Sequence, residues 1–392
     1  MVSIPAIPSV LIVDDEPDTQ RGRALELQAE VNVAVAHPEH LTSEQLGRAD
    51  LVLVDLRLTE WPLRDALSSI TLQPLNGLAL SAVLRSHAFV EESRSPIAFA
   101  LHSGHLADIA GGLPPDTREH VVARANNLEW AFEKVPSDRT VPPLSARIVS
   151  LASAVHRLPT SWTEKGVEAA SSTATTLLGL VGDETWEDRA RQDVEECHPP
   201  LHELSQASHG LAFLRWLLHR IIPYPCFLMD THALAARLRS TLESVEGALL
   251  NIEALDSLLA PYRYRGVLEN FSGTRWWRAG VEALLWEISS GRSFDQDALQ
   301  AGLKSRSVSD LEGISTERPV VCIDQNYRKM DEIYDAESAV RVQPDDWPPY
   351  ADQAWTTIEL ALGEPAVRAL VIGLDQERVD NYEPPSTGRV AG

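Results

Sequence analysis

Short hydrophobic runs alternate with amphipathic stretches along the N-terminal part of the chain. Five of these runs have the length and composition of buried strands, and the stretches between them have helical spacing. This alternation predicts a doubly wound parallel sheet, because parallel strands are joined by crossover connections that are usually helices. The predicted strands are residues 10–15, 31–36, 51–55, 97–101 and 130–134, with helices at 76–87 and 116–127 among the connections.

The pattern changes further along the chain. Residues 142–158 have apolar side chains at helical spacing, which predicts a helix that closes the sheet and leads into the next part. Residues 160–315 are predicted to be almost wholly helical, and after residue 318 strands return at 320–324, 339–342 and 367–374, with a helix at 352–361. The predicted fold class is therefore α/β. A five-stranded parallel sheet is followed by a mainly α-helical domain and a small α/β C-terminal part.

Composition and charge narrow the classes of function. Hydrophobic residues make up 44% of the 392 residues and charged residues 23%, as in a folded protein with a core. The 34 basic and 57 acidic residues give a formal charge of −23, which disfavours DNA binding because phosphate contacts need a basic surplus. Three widely spaced cysteines indicate reduced thiols. Since no apolar run reaches about 18 residues, we expect a cytoplasmic protein without a membrane segment.

Acidic side chains stand at the ends of two predicted strands, and a lysine ends another. Asp14 and Asp15 end the first strand, Asp55 ends the third and Lys134 ends the fifth. The carboxyl ends of parallel strands share one edge of the sheet, where ligands usually bind. Three carboxylates there repel each other unless a divalent cation is bound, and oxygen ligands favour Mg²⁺ over zinc. A carboxylate can also attack phosphorus to form an acyl phosphate.

Asp55 stands alone on the central strand and is the natural nucleophile of this set. Lys134, the only lysine before Lys165, supplies a compact cation that can pair first with Asp55 and then with phosphoryl oxygens. Taken singly, each of these residues is more simply explained as a strand-end cap or a surface charge. The ordered set favours the functional interpretation.

Over residues 8–158 the chain resembles the receiver domain of two-component response regulators. The resemblance depends on VLIVDDEPD with Asp14 and Asp15, LVLVDLRL with Asp55, LHSGH with Ser103 and FEKVP with Lys134. It implies a receiver or flavodoxin-like sheet, with Asp55 as phosphoacceptor and Mg²⁺ held by Asp14, Asp15, Asp55 and the Arg57 backbone carbonyl. It further implies that the Ser103 hydroxyl responds to the new phosphate and that the phosphodonor is a sensor histidine kinase.

The resemblance covers the N-terminal part alone, and no family is recognised for residues 160–392, whose domains are predicted from the sequence pattern. A receiver-like domain is expected over residues 1–140, a connector helix over 141–160 and a helical output domain over 161–317. A small α/β segment over 318–380 and a disordered tail over 381–392 complete the prediction.

Three features depart from the receiver pattern. Between Asp55 and Gly77 lie 21 residues, which is a long connection beside a phosphoacceptor, and residues 59–74 with Trp61 are its unusual part. Ser103 lies two residues further from Pro96 than the pattern expects, so His102 or Leu101 is an alternative switch residue. Val135 separates Lys134 from the following proline. The metal and nucleophile positions therefore match better than the switch does.

The predicted function is a response-regulator-like signalling protein whose helical region contacts an unknown protein partner or associates into a homodimer. Two alternatives stay open: a receiver that gates an enzyme in residues 160–392, and a degenerate receiver that acts only as an interaction scaffold. No recognisable catalytic set supports the enzyme, so we expect no activity beyond receiver phosphotransfer and autodephosphorylation.

A zinc site is disfavoured because Pro199 and Pro200 interrupt the His-rich segment of Cys197, His198, His202 and His209. An Arg–aromatic cluster over residues 262–286 indicates a helical core more than an interface.

Overall fold

The computed structural model describes residues 7–61, 74–90, 96–134, 142–159, 162, 166–206, 209–251, 253–308 and 311–382. Within them the chain divides into two compact units. The first unit comprises Met1–Pro223 and Arg263–Trp277, and the second comprises Tyr224–Tyr262 and Arg278–Gly392. The stretch predicted as one helical domain, residues 161–317, contributes to both units, and the predicted domain boundaries stay a prediction.

The strands are numbered in chain order. They are β1 (Ser9–Val13), β2 (Asn32–Ala36), β3 (Leu51–Val54), β4 (Ala98–Ser103), β5 (Trp130–Glu133), β6 (Leu228–Met229), β7 (Trp276–Trp277), β8 (Pro319–Ile323), β9 (Lys329–Asp335), β10 (Ala339–Val342) and β11 (Ala354–Thr357).

The α-helices are numbered in the same way. They are α1 (Arg21–Leu27), α2 (Ser43–Gly47), α3 (Gly77–Val90), α4 (Leu106–Ala110), α5 (Pro115–Ala125), α6 (Leu144–His156), α7 (Gly166–Leu178), α8 (Thr185–Glu196), α9 (Leu201–Leu204), α10 (Leu211–Trp216), α11 (Thr231–Leu238), α12 (Leu242–Asn251), α13 (Glu253–Leu259), α14 (Arg278–Ile288), α15 (Gln296–Ser305), α16 (Ile358–Gly363), α17 (Pro365–Ala369) and α18 (Gly373–Asp380). Single turns of 3₁₀-helix lie at Pro17–Gln20, Pro38–His40 and Ala260–Tyr262, and a π-helical turn at Leu217–Ile221 continues α10.

The first unit is built around the five-stranded parallel sheet that the hydrophobic pattern predicts. Its strand order is β2-β1-β3-β4-β5, the order of flavodoxin-like sheets. Each neighbouring pair is parallel, with Val10 of β1 beside both Val33 of β2 and Leu51 of β3. The order reverses direction between β1 and β3, so this sheet has a topological switch point at their carboxyl ends.

Strands β1, β3, β4 and β5 are buried on both faces, as their continuous apolar runs predict, whereas the edge strand β2 is partly exposed. On one face, alternate strand residues pack with α2, α3, α4 and α5 in a single core cluster that includes Val54 and Leu101. On the other face α6 contacts β3 and α1, and its Ile148 and Leu151 are fully buried. Each such aliphatic side chain contributes roughly 1.5–3 kcal/mol of burial free energy.

Helices α7 to α10 belong to the same unit as the sheet. The His219 ring, in the π-helical turn after α10, stacks on Trp130 of β5 with ring centroids 5.9 Å apart. One turn earlier, the Arg215 guanidinium pairs with the fully buried Glu129 carboxylate at 2.5 Å. A stacked pair and an ion pair thus hold this helical segment to the β5 side of the sheet.

The second unit combines α11 to α15 with a mixed four-stranded sheet of order β10-β11-β8-β9. Strands β8 and β9 are antiparallel, as are β10 and β11, and β8 is parallel to β11. Helices α16 to α18 contribute Ile358, Val367 and Val379 to the core beside this sheet.

Several predictions for the C-terminal part were wrong in detail. Residues 367–374 are not a strand but the end of α17, a turn and the start of α18, with one bridge between Val342 and Val371. The helix predicted at 352–361 is β11 followed by α16, and β9 was not predicted. Of the predicted disordered tail, Tyr382 packs against the core beside β10, and residues 383–392 lie outside the described residues. In the described residues, no helix has the length and apolarity needed to cross a membrane.

Candidate functional site

The predicted site residues lie along one edge of the first sheet. Asp14 and Asp15 directly follow β1, Asp55 follows β3, Ser103 is the last residue of β4 and Lys134 follows β5. The backbone N–H of Asp55 still donates to Val13 O at 3.1 Å, and that of Lys134 donates to Ser103 O at 2.9 Å. These backbone hydrogen bonds therefore fix the positions of Asp55 and Lys134 at the edge of the sheet.

The centre of the site is an ion pair between the fifth and third strand ends. Lys134 Nζ lies 2.7 Å from Asp55 Oδ1 and 3.7 Å from Asp14 Oδ2. The side chain of Lys134 is 30% exposed, whereas those of Asp55 and Asp14 are 11% and 6% exposed. Three predicted residues that are distant in sequence thus converge, with the acids buried and the amine reaching solvent.

Burial dominates the electrostatics of Asp55. It raises the pKa of the Asp55 carboxyl above its ordinary value, although a hydrogen bond and ion pair with Lys134 and the Arg57 N–H act in the opposite direction. Asp14 nearby adds to the rise. Arg57 N donates to Asp55 Oδ2 at 2.9 Å. Asp55 is thus a partly desolvated carboxylate. Fewer water molecules have to leave its oxygen before that oxygen can act as a nucleophile.

The acidic pair after β1 is held by hydrogen bonds from the protein itself. Asp14 accepts from Glu16 N at 2.8 Å and from the buried Gln20 Nε2 at 2.7 Å. Asp15 accepts from Glu60 N at 2.6 Å. These contacts tie the end of β1 to the loop that follows β3.

The three carboxylates at this edge of the sheet are the predicted ligands of Mg²⁺. Asp14, Asp15 and Asp55 supply the carboxylate oxygens that Mg²⁺ prefers, and each oxygen can accept from more than one direction. Their chemistry fits the ion. Within the part of the chain that the structure describes, however, no group of three or more His, Cys, Asp or Glu residues is gathered to hold a metal. Arg57 contacts the site through its N–H, and its carbonyl stays a predicted ligand.

Two neighbouring residues compete for the predicted switch role. Ser103 is fully buried, and its Oγ accepts from His105 N at 3.1 Å at the start of α4. His102 is also buried, and burial together with the nearby charges of Lys134 and Arg23 lowers its pKa to about 3. His102 is therefore neutral at physiological pH. Because side chains alternate along β4, Ser103 lies on the same face as Leu101 and His102 on the opposite face.

The unusual connection after Asp55 is described at both ends. Trp61 is buried, and its Nε1 donates to Glu39 Oε1 at 2.8 Å. Arg57 pairs with Asp108 of α4 at 2.5 Å. Residues 62–73 of the predicted insertion lie outside the described residues. The described part thus packs along the sheet edge beside the site.

Sequence reasoning missed the partners of the acids. The sequence did not predict the contacts of Gln20, of the Glu60 N–H or of Arg57 with Asp108. Each of them depends on the conformation of a loop, which no sequence pattern indicates.

The Cys–His segment gives no metal site in the described residues. Its His202 Nε2 lies 2.8 Å from Gln206 Nε2, and Trp216 Nε1 donates to Cys197 O. In the Arg–aromatic cluster, Tyr264, Trp276 and Trp277 are buried, as the core interpretation predicts, whereas Trp286 is 60% exposed and departs from it.

Comparison of the chain with protein-family models, curated proteins and solved structures finds no match.

Proposed function

We propose that the first unit carries a receiver-like phosphoacceptor domain, in which Asp55 accepts a phosphoryl group from the phosphohistidine of a sensor kinase. The observation that carries this proposal is the contact of 2.7 Å between Lys134 Nζ and Asp55 Oδ1. It lies at the carboxyl edge of a parallel sheet with order β2-β1-β3-β4-β5, where such folds bind ligands.

The reaction is a displacement at phosphorus. An Asp55 carboxylate oxygen forms the new P–O bond while the P–N bond of the donor phosphoimidazole breaks, and the released imidazole nitrogen takes up a proton from solvent. Lys134 pairs with the carboxylate before transfer and with the phosphoryl oxygens afterwards, so its charge offsets anionic charge throughout. The Arg57 N–H orients the Asp55 oxygen that does not react.

Asp14, Asp15, Asp55 and the Arg57 carbonyl are the residues that would hold Mg²⁺, which when bound neutralises charge on the transferring phosphoryl group. Asp14 Oδ2 lies 3.7 Å from Lys134 Nζ, so the Lys134 ammonium also offsets the charge of Asp14. Gln20 and Glu60 N keep Asp14 and Asp15 in place.

Phosphorylation would alter the surroundings of α4. The phosphoryl group adds about −1.5 to −2 charge beside Arg57, whose guanidinium pairs with Asp108 of α4. Competition between phosphate and Asp108 for Arg57 would release or shift α4, and the Ser103 hydroxyl that meets His105 N lies at the start of the same helix. The output of this change is a contact with a protein partner or a second copy of the chain.

The test is phosphorylation by a small-molecule donor such as acetyl phosphate in the presence of Mg²⁺, read by intact mass. We expect one added phosphoryl group on the wild type and on Asp18→Asn, whose side chain is 85% exposed. Asp55→Asn should gain none. Equal labelling of Asp55→Asn and wild type would remove Asp55 from the role.

A second candidate is a degenerate receiver that serves as an interaction scaffold. It is favoured by the engagement of Asp14 and Asp15 with Gln20 and the Glu60 N–H, which already donate hydrogen bonds to these carboxylates. Mg²⁺ titration followed by amide chemical shifts separates the two. The phosphoacceptor predicts saturable shifts at residues 14, 15 and 55 that Asp15→Asn weakens, whereas the scaffold predicts none.

A further inference from the structure

The second unit contains a cleft of about 360 Å³ whose lining comes entirely from that unit. Its walls are the segment 225–230, one face of α11, strand β8 and residues 352–355 of β11 and the preceding loop. This volume lies at the lower end of the range for small-molecule sites in proteins, ~300–1,000 Å³. The cleft is separate from the site at Asp55, and no residue of the proposed phosphoacceptor lines it.

Small side chains on α11 open the cleft. Ala233 and Ala236 lie three residues apart and therefore on the same helix face, towards β8. Across from them Val320, Val321 and Ile323 form an aliphatic wall. Larger residues at 233 and 236 would fill this space, so the alanines are what leaves room for a ligand.

Two tryptophans supply flat aromatic surface. Trp347 and Trp355 both line the cleft. Trp347 is fixed from behind, because its Nε1 donates to Asp352 O at 2.8 Å and its ring packs edge-on against Tyr224 at 5.2 Å. A ring held in this way is a preformed surface against which a planar molecule stacks at low entropic cost.

The charged residues of the lining are already paired within the protein. Lys329 pairs with Asp230, which also caps α11 by accepting from Ala233 N. Asp352 pairs with Arg278 at 2.8 Å, and Arg237 with Glu282 at 3.1 Å. An ionic ligand would have to break one of these pairs or enter without a counter-charge, both of which are costly. An uncharged ligand avoids that cost.

The polar groups still specify the ligand. The carboxylate oxygens of Asp230 and Asp352 each accept hydrogen bonds from several directions. We propose that this cleft binds an uncharged planar aromatic molecule that carries an N–H or O–H donor. The ring stacks on Trp347 or Trp355 and packs against the β8 wall, and its donor meets one of the two carboxylates. The chain would then combine a phosphoacceptor unit with a small-molecule site in another unit.

Indole is a suitable probe, because it is planar, uncharged and has one N–H donor. Ligand-observed NMR titration of the full chain should give a Kd in the millimolar range or tighter, about −4 kcal/mol or better. Benzoate and benzylammonium, which have similar rings but opposite charges, should bind at least about tenfold more weakly, a difference of ~1.4 kcal/mol.

Two variants locate the binding. Ala233→Leu adds apolar bulk to the cleft face of α11 and should weaken indole at least about tenfold, and Ala301→Leu on an exposed position of α15 should leave it unchanged. Thermal unfolding of both variants checks that they fold.

Three results would overturn the proposal: no indole binding by the wild type up to the solubility limit, equal binding by Ala233→Leu, or equally tight binding of either charged comparator. None of these measurements involves a phosphodonor, so their failure is separate from that of the phosphoacceptor proposal.

Discussion

Gly77 packs directly against the backbone of Asp55: a β-carbon added at Gly77 would lie 1.9 Å from the Asp55 carbonyl oxygen. The same residue begins α3, and its N–H donates to Leu56 O at 3.0 Å. The long connection that follows Asp55 therefore ends next to the residues at which it begins, just after β3. Only a glycine lets α3 start this close to the candidate phosphoacceptor.

Gly77→Ala should be strongly destabilising, because the obstructing atom is a backbone oxygen that no rotamer change can move. We expect a loss of about 2–4 kcal/mol in the free energy of unfolding measured by urea titration. Gly22→Ala in α1 is the matched control, since nothing lies within 4 Å of the added carbon. It should be neutral or stabilising by up to about 1 kcal/mol. Equal effects of the two substitutions would refute the close approach at Gly77.

Arg215→Met should expose the dependence of the first unit on a buried charge pair. Glu129 is fully buried, and it receives Arg215 Nε at 2.8 Å and Phe99 N at 2.6 Å. Removing the guanidinium leaves the carboxylate without its nearest counter-charge, for which we expect a cost of about 3 kcal/mol. The exposed pair of Arg48 with Glu44 gives the control, and Arg48→Met should cost less than about 1 kcal/mol. If Arg215→Met lowers the free energy of unfolding as little as Arg48→Met does, the buried pair of Arg215 with Glu129 does not stabilise the first unit.

The buried histidine stacked on Trp130 predicts a pH dependence. Burial lowers the pKa of His219 from 6.5 to about 3, with its Nε2 3.2 Å from Leu128 O. Below pH 6.5 the unfolded chain binds a proton at this residue that the folded chain does not, so stability falls as pH decreases from 6.5 towards 3. The slope is up to ~1.4 kcal/mol per pH unit for one proton.

Urea unfolding of wild type and His219→Phe at pH 7.5 and at pH ~5 measures this contribution. Phenylalanine keeps an aromatic ring against Trp130 but cannot be protonated. The variant should lose less stability than the wild type between the two pH values. Identical losses would show that His219 does not contribute to the pH dependence.

Asp55 should cost stability at neutral pH. Burial raises its pKa, so in the window just above the ordinary value of 3.8 the folded chain holds a proton that the unfolded chain has lost. Stability therefore falls as pH rises through that window, and ionised Asp55 destabilises the folded chain at pH 7. Asp55→Asn should stabilise the first unit by up to about 1 kcal/mol in urea unfolding, with the gain vanishing at low pH. A loss of stability at pH 7 would mean that the Lys134 pair outweighs desolvation.

Much of the first sheet could be predicted from the sequence because four of its five strands, β1, β3, β4 and β5, are buried on both faces. Continuous apolar runs such as the four residues of β3 leave little choice of structure. The meeting of Lys134 with Asp55 follows from the same logic, since parallel strands end at one edge. Gln20, which holds Asp14, could not be predicted because a 3₁₀ turn brings it there.

The C-terminal part was harder because its apolar runs are short and fit either structure. Residues 367–374 are rich in β-branched side chains, yet Pro365 at the first position of α17 favours a helix. The change from β11 to α16 depends on Thr357, whose Oγ accepts from Leu360 N at 3.1 Å. This N-cap places the start of α16 at residue 358, so only the second part of the predicted helix is helical.

We propose that Asp55 accepts a phosphoryl group with Lys134 as its cationic partner. The most direct measurement treats the chain with acetyl phosphate and Mg²⁺, traps the acyl phosphate by hydride reduction, and locates the modified residue by peptide mass spectrometry. We expect modification at Asp55 alone, reduced at least about tenfold in Lys134→Met. Modification at another carboxylate, or undiminished modification in Lys134→Met, would contradict it.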